Sequence, residues 1–134
     1  MTENIRATIL AEALREINRH GSNFHMDDLA RNLRISKRTL YENFSSKQEI
    51  IEQAIADFTD KIYAYHQRIV SDPAMTCEAK LIAYFDVPSD NWQVLSVRKT
   101  SDLLAKMPGT CERLQSRYKK DWLLLERLLD EAQV

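Results

Sequence analysis

Apolar residues recur along most of this 134-residue chain at three- and four-residue intervals. The first stripe, Ile5, Ile9, Leu10, Ala13, Leu14 and Ile17, is that of an amphipathic helix laying one face on a core. Arg19 and His20 then put cationic groups at the negative pole of its last turn, and Gly21 accepts the left-handed backbone of a helix stop. A second, short helix is predicted over residues 26 to 33, with Met26, Leu29, Ala30 and Leu33 inward and Asp27 and Asp28 in its first turn, where negative charge is favoured. After a break at Arg34-Ile35-Ser36, Ser36 is a good N-cap for a third helix over residues 37 to 43. Leu40 points inward there, and Lys37, Arg38, Tyr41 and Glu42 point elsewhere. So short a helix cannot persist alone, and packing through Ile35, Leu40 and Phe44 must hold it.

Ser46-Lys47-Gln48-Glu49 reads as a capping box, Ser46 capping and Glu49 reaching back. The stripe Ile50, Ile51, Ala54, Ile55, Phe58, Ile62 and Ile69 follows at once and predicts one long helix over about residues 46 to 71, closed by Pro73. A further helix through Cys77, Leu81, Ile82 and Phe85 should end at Val87, before Pro88. Ser89-Asp90-Asn91 is a loop and cap, and Trp92, Leu95, Leu103 and Leu104 mark another helical stretch, interrupted by Pro108-Gly109. From Thr110 onward Leu114, Tyr118, Trp122, Leu125, Leu128 and Leu129 trace a last apolar face. Around Trp122-Leu123-Leu124-Leu125 that face covers about three sides of the helix, more than one packing partner can bury at ~100° per residue.

Composition sharpens this to an all-α fold. Apolar residues make up 44% of the chain against only 2 Gly and 3 Pro, too few turn formers for a sandwich or barrel. No run approaches the ~18 apolar residues that span a bilayer, and the first residues lack the layout of a secretory signal, so no membrane is expected and the cytoplasm is the expected location. Cys77 and Cys111 lack the spacing of a metal or redox pair, and neither metal nor cofactor is implied. An enzyme is not indicated: the three histidines fall at unrelated places, no Ser or Cys stands beside a plausible base, and two glycines make no phosphate loop. Net charge is −1, but residues 1–47 carry 8 Lys/Arg against 6 Asp/Glu and residues 48–134 carry 11 against 14. That small excess favours a nucleic-acid-binding front only if the cations share one surface.

Residues 26 to 44 concentrate the chemistry. Two short helices crossing steeply through a three-residue turn need a small residue at the contact, supplied by Ala30, and apolar inner faces, supplied by Leu29, Leu33, Ile35 and Leu40. The second helix is then propped so that its outer side can enter a major groove. Lys37 and Arg38 stand at its N-terminus, where two more cations are mildly unfavourable for stability. Phosphates arriving there would meet helix N–H groups and both side chains together, and Lys47 in the next helix suggests a second clamp. A merely solvated face would carry the same cations.

The run from Met26 to Glu49, and above all its core Ile35-Ser36-Lys37-x-Thr39-Leu40-Tyr41-x-x-Phe44-x-x-Lys47, closely resembles the DNA-binding domain of the TetR family, the likeness extending over about residues 5 to 58. The resemblance implies a three-helix helix-turn-helix domain at residues 1–46, joined by a long fourth helix to a partial ligand-binding and dimerisation domain at 47–134. It implies base-edge or phosphate contacts from Lys37, Arg38 and Thr39, a phosphate and thymine-methyl contact from Tyr41, and a backbone contact from Lys47. Asn43, with Glu42 beside it, falls at the DNA-facing end of the recognition helix, while Leu40 and Phe44 match scaffold positions.

Three positions depart from the family pattern. His25 stands where a Thr or Ser usually caps the second helix and meets a phosphate, a contact that a protonated imidazole would have to replace. Arg34 replaces a common Gly in the turn, at ~1–2 kcal/mol if the backbone is left-handed there. The loop before Met26 is one residue short. Family members carry two further helices that build the dimer interface, so the chain is expected to be truncated or to dimerise through its final helix in another way. Tyr63, Phe85, Trp92, Met107 and Tyr118 are the candidate linings of an effector cavity, although core packing accounts for such residues at helical spacing. The implied function is a homodimeric repressor that places a recognition helix in each of two successive grooves of a palindromic operator and is released by a small-molecule effector. The rival is a truncated regulator acting as a helical protein-interaction module without DNA binding.

Overall fold

A computed structural model describes residues 4–86, 102–103, 105–107 and 109–132, and all the regular structure among them is helical. The helices are α1 (Ile5–His20), α2 (Met26–Leu33), α3 (Lys37–Asn43), α4 (Lys47–Val70), α5 (Cys77–Phe85) and α6 (Thr110–Ala132). The all-α expectation holds, with boundaries within about two residues of those predicted. One element was not foreseen: Gly21–Asn23 forms a turn of 3-10 helix after α1, entered through Gly21 at φ 60°. The expected loop at Ser89 to Asn91 and the stretch around Trp92 lie outside the described residues.

Two apolar clusters organise these helices. The first collects Ile9, Ala13 and Ile17 of α1, Leu29 and Ala30 of α2, Leu40 of α3, Phe24 and Phe44 from the connections, and Ile50, Ile51, Ala54 and Ile55 of α4. Ala30 is buried at the α2–α3 contact, as its size requires, and Leu33 and Ile35 pack from the edge. The first turns of α4 therefore complete the core of the N-terminal helices, and Leu103 and Leu114 close it from the far side. The second cluster joins Val70, Tyr84, Leu124, Leu125 and Leu128.

Polar groups lock the layers. Glu12 and Glu16 are buried on α1, where Asn32 Nδ2 of α2 donates to them at 3.1 and 3.4 Å and Arg15 and Arg19 pair with them at 2.8 and 2.9 Å. Buried carboxylates are tolerated because every one has such partners. Between α4 and α6, Arg113 pairs with Glu52, Arg117 pairs with Asp60 at 3.0 Å, and His66 Nδ1 lies 2.7 Å from Asp121 Oδ1. Numbers rise together on both helices, so α6 runs parallel to α4. His66 is buried and stacked on the Tyr84 ring at 3.7 Å, with Nε2 2.8 Å from the Tyr84 carbonyl oxygen. Burial and the Asp121 carboxylate together push the Tyr84 phenol well above its ordinary range.

No helix of the described residues is long and apolar enough to cross a membrane. The excess of apolar groups on the last helix is visible in the fold. Leu124, Leu125 and Leu128 are buried, while Trp122, Leu123 and Leu129 remain 43–59% exposed.

Candidate nucleic-acid interface

The α2–turn–α3 unit is set by its local chemistry. Arg34 takes φ 58° and ψ 41°, so the turn keeps the left-handed conformation for which the family commonly has Gly, and the next N–H, that of Ile35, donates to the Ala30 carbonyl at 3.0 Å. The stop bond closes α2 ahead of α3 and satisfies a carbonyl at the end of α2. Ser36 then caps α3: its Oγ accepts from the Thr39 N–H at 3.0 Å and donates to Thr39 Oγ1 at 3.0 Å.

With Leu40 fully buried, the opposite side of α3 faces outward, and the predicted residues divide by what they touch. Arg38 is more open than Lys37, its side chain 88% exposed, with Nε 3.6 Å from Glu42 Oε2 one turn on. Tyr41 is 45% exposed and is not folded under α1. Lys37 is exposed and bridges to α2, its Nζ 2.9 Å from Asp27 Oδ1. Their hydrogen bond and mutual attraction hold the Asp27 carboxyl below its usual range and raise the Lys37 ammonium above its own. Asp27 thus does more than favour the α2 dipole: it compensates the cation that the start of α3 disfavours. Thr39 is half-buried in the cap, and Asn43 Nδ2 donates to the Thr39 carbonyl at 2.9 Å, so both are partly committed to α3 itself.

Two predicted contacts sit differently. His25 is exposed at the N-cap of α2 with extended backbone, and its ring makes no capping bond. Lys47 points inward: Nζ donates to the Phe24 carbonyl at 2.5 Å and lies 4.6 Å from the centre of the Phe24 ring. Desolvation lowers its pKa. Periodicity could not reveal this, because Phe24 lies 23 residues earlier in a non-helical connection. The capping box is also shifted: Ser46 Oγ accepts from the Glu49 N–H at 3.1 Å as expected, but the Glu49 carboxylate reaches back to the N–H of Ser45 at 3.0 Å.

The candidate effector residues are not gathered into one cavity. Tyr63 packs on the second cluster, Met107 packs on the first, and Phe85 is 71% exposed with its ring edge-on to Tyr84. Tyr118 lines a cleft of about 210 Å³ with Phe58, Ile62 and Asp121, and Trp92 lies outside the described residues. A larger open cleft of about 460 Å³ lies between α1, α4 and α6, walled by the Glu52–Arg113 and Asp60–Arg117 pairs. Among the described residues no group of three or more His, Cys, Asp or Glu is placed to hold a metal ion.

Comparison with known proteins agrees with this geometry. Residues 9–54 match the family model described as bacterial regulatory proteins, tetR family. Over 124 residues the chain is 27% identical to an uncharacterized HTH-type transcriptional regulator, YvaF, of Bacillus subtilis (strain 168). That similarity covers 92% of this chain and 65% of the relative, so the chain spans about two thirds of the length of the curated relative it matches. No solved structure gives a significant match. The likeness noted on the residues around α3 is thereby supported for the segment that carries it.

Proposed function

We propose that this chain, whose first four helices carry a TetR-type helix-turn-helix, is a sequence-specific DNA-binding transcription regulator in which α3 is the recognition helix. The observation that carries the reading is the two-sidedness of α3: Leu40 is wholly buried while Lys37, Arg38 and Tyr41 stand exposed on one side of a capped helix start. On approach to a duplex, phosphates replace Asp27 and Glu42 as partners of Lys37 and Arg38, exchanging exposed ion pairs worth little for contacts that release condensed counterions. Tyr41 brings a ring and a hydroxyl to the same surface. Contact by Lys47 competes with its bond to Phe24, which places it behind Lys37 and Arg38 in the order of importance.

The finer reading is a homodimeric repressor on a palindromic operator, released by a small molecule and working in the cytoplasm. The exposed Trp122, Leu123 and Leu129 support association through α6, because apolar groups of this size gathered on one helix mark a contact surface more often than chance exposure. The parallel α4–α6 pair links that surface to the core under α3. The test is a titration of duplex DNA at two salt concentrations. Lys37→Ala and Arg38→Ala should each reduce the slope of log affinity against log salt by about one. Unchanged slopes in both variants would remove this face from the contact and favour the protein-interaction module.

A further inference from the structure

A recognition helix of seven residues is marginal, and each of its ends must be held from outside. The start of α3 is held by the Ser36 cap and the Lys37–Asp27 pair, and its middle by Leu40. Of its last carbonyls that of Leu40 accepts from the Phe44 N–H at 3.1 Å, and the carbonyls beyond it form the negative end of the helix dipole. Arg6, in the first turn of α1, meets that end. Its Nη1 donates to the carbonyl oxygen of Asn43, the final residue of α3, and its Nη2 donates to Gln53 Oε1 of α4 at 3.3 Å. Its guanidinium carbon lies 4.2 Å from the centre of the Phe44 ring, the residue that terminates α3. Phe44 is itself buried, so the ring that supports the cation is fixed in the core.

We infer that Arg6 is a positioning residue for DNA recognition: it latches the C-terminal end of α3 to α1 and α4 and so fixes the angle at which Lys37, Arg38 and Tyr41 meet a groove. The inference rests on the DNA-binding reading above for its functional half. The chemistry selects arginine. A planar guanidinium donates along two edges while its face lies on an aromatic ring, and the charge favours a helix C-terminus. A lysine ammonium offers one point charge and no plane. Arg6 is exposed, so the competing role is that of one more phosphate contact, and the two roles predict different measurements.

Wild type, Arg6→Ala and Arg6→Lys are compared by amide hydrogen exchange without DNA and by binding to an enriched duplex and a scrambled duplex at two salt concentrations. The latch predicts that Arg6→Ala speeds exchange at residues 40–44 about tenfold while the amides of α1 and α2 keep their protection, with Arg6→Lys intermediate. It predicts a loss of about tenfold on the enriched duplex, less than about twofold on the scrambled one, and an unchanged salt slope. Unaltered exchange at residues 40–44 overturns the latch, and so does an equal loss on both duplexes with a slope smaller by about one, the signature of a phosphate contact. If Arg6→Ala does not fold, the exchange pattern of Arg6→Lys decides between the same outcomes. A wild type that does not distinguish the duplexes refutes the regulator reading, while the exchange result still settles the latch.

Discussion

His25 holds the N-cap position of α2 with φ −114° and ψ 147°, the backbone a capping hydroxyl uses, yet its ring makes no such bond. The first-turn donors of α2 are therefore left without a side-chain acceptor at that position. His25→Ser should supply one and stabilise the protein by about 1 kcal/mol. A thermal melt should then rise by about 3–5 °C. No change would mean that the His25 carbonyl, which accepts from the Asp28 N–H at 3.1 Å, together with solvent already satisfies those groups. Local features of this kind were legible in the sequence because they depend on neighbours: the Ser36 and Ser46 caps are found where expected, while the left-handed backbone of Arg34 was left open by the residues alone. The contacts of Arg6 and Lys47 were not legible, since their partners lie 37 and 23 residues away and neither cation interrupts the apolar stripe.

Among the described residues, helix order and length followed from apolar spacing together with caps and breakers such as Gly21, Ser36, Ser46 and Pro73. What spacing did not convey was which polar residues sit between the helices. Glu12 and Glu16 are buried, and Glu52 bridges α4 to the start of α6 through Arg113 and Thr110. Those two partners hold the Glu52 carboxyl below its ordinary value of 4.5, the Arg113 hydrogen bond being the larger cause. A carboxylate with a depressed folded pKa contributes stability that is present above the unfolded pKa and is lost as pH falls through the folded one. Glu52→Gln should accordingly melt lower than the wild type at about pH 7, and the difference should shrink in acid, as the pH falls below 4.5 and through the depressed folded pKa. An equal difference at neutral and acid pH would show that the α4–α6 link does not depend on the charge. The candidate effector residues were the least legible in the sequence, because aromatic and Met residues at helical spacing pack cores and line cavities alike; Tyr63 and Met107 are partly buried against the two clusters.

In the molecule as a whole, α4 is the member common to both halves. Its first turns finish the core beneath α3, and its last turns carry His66, Ile69 and Val70 into contact with α5 and α6. A change in how α6 lies along α4 would therefore reach the α3 support without crossing a loop. On the dimeric reading proposed above, two copies present two recognition helices, and the exposed Trp122, Leu123 and Leu129 of α6 offer a surface for joining them. All of this turns on the outer side of α3 reading a duplex. The most direct measurement is enrichment of bound fragments from a pool of random duplex DNA. Recognition by α3 in a dimer predicts an enriched sequence with two-fold symmetric half-sites whose centres lie about one helical turn, ~34 Å, apart. A pool that remains random through successive rounds, at a salt concentration where the protein is folded, would contradict it.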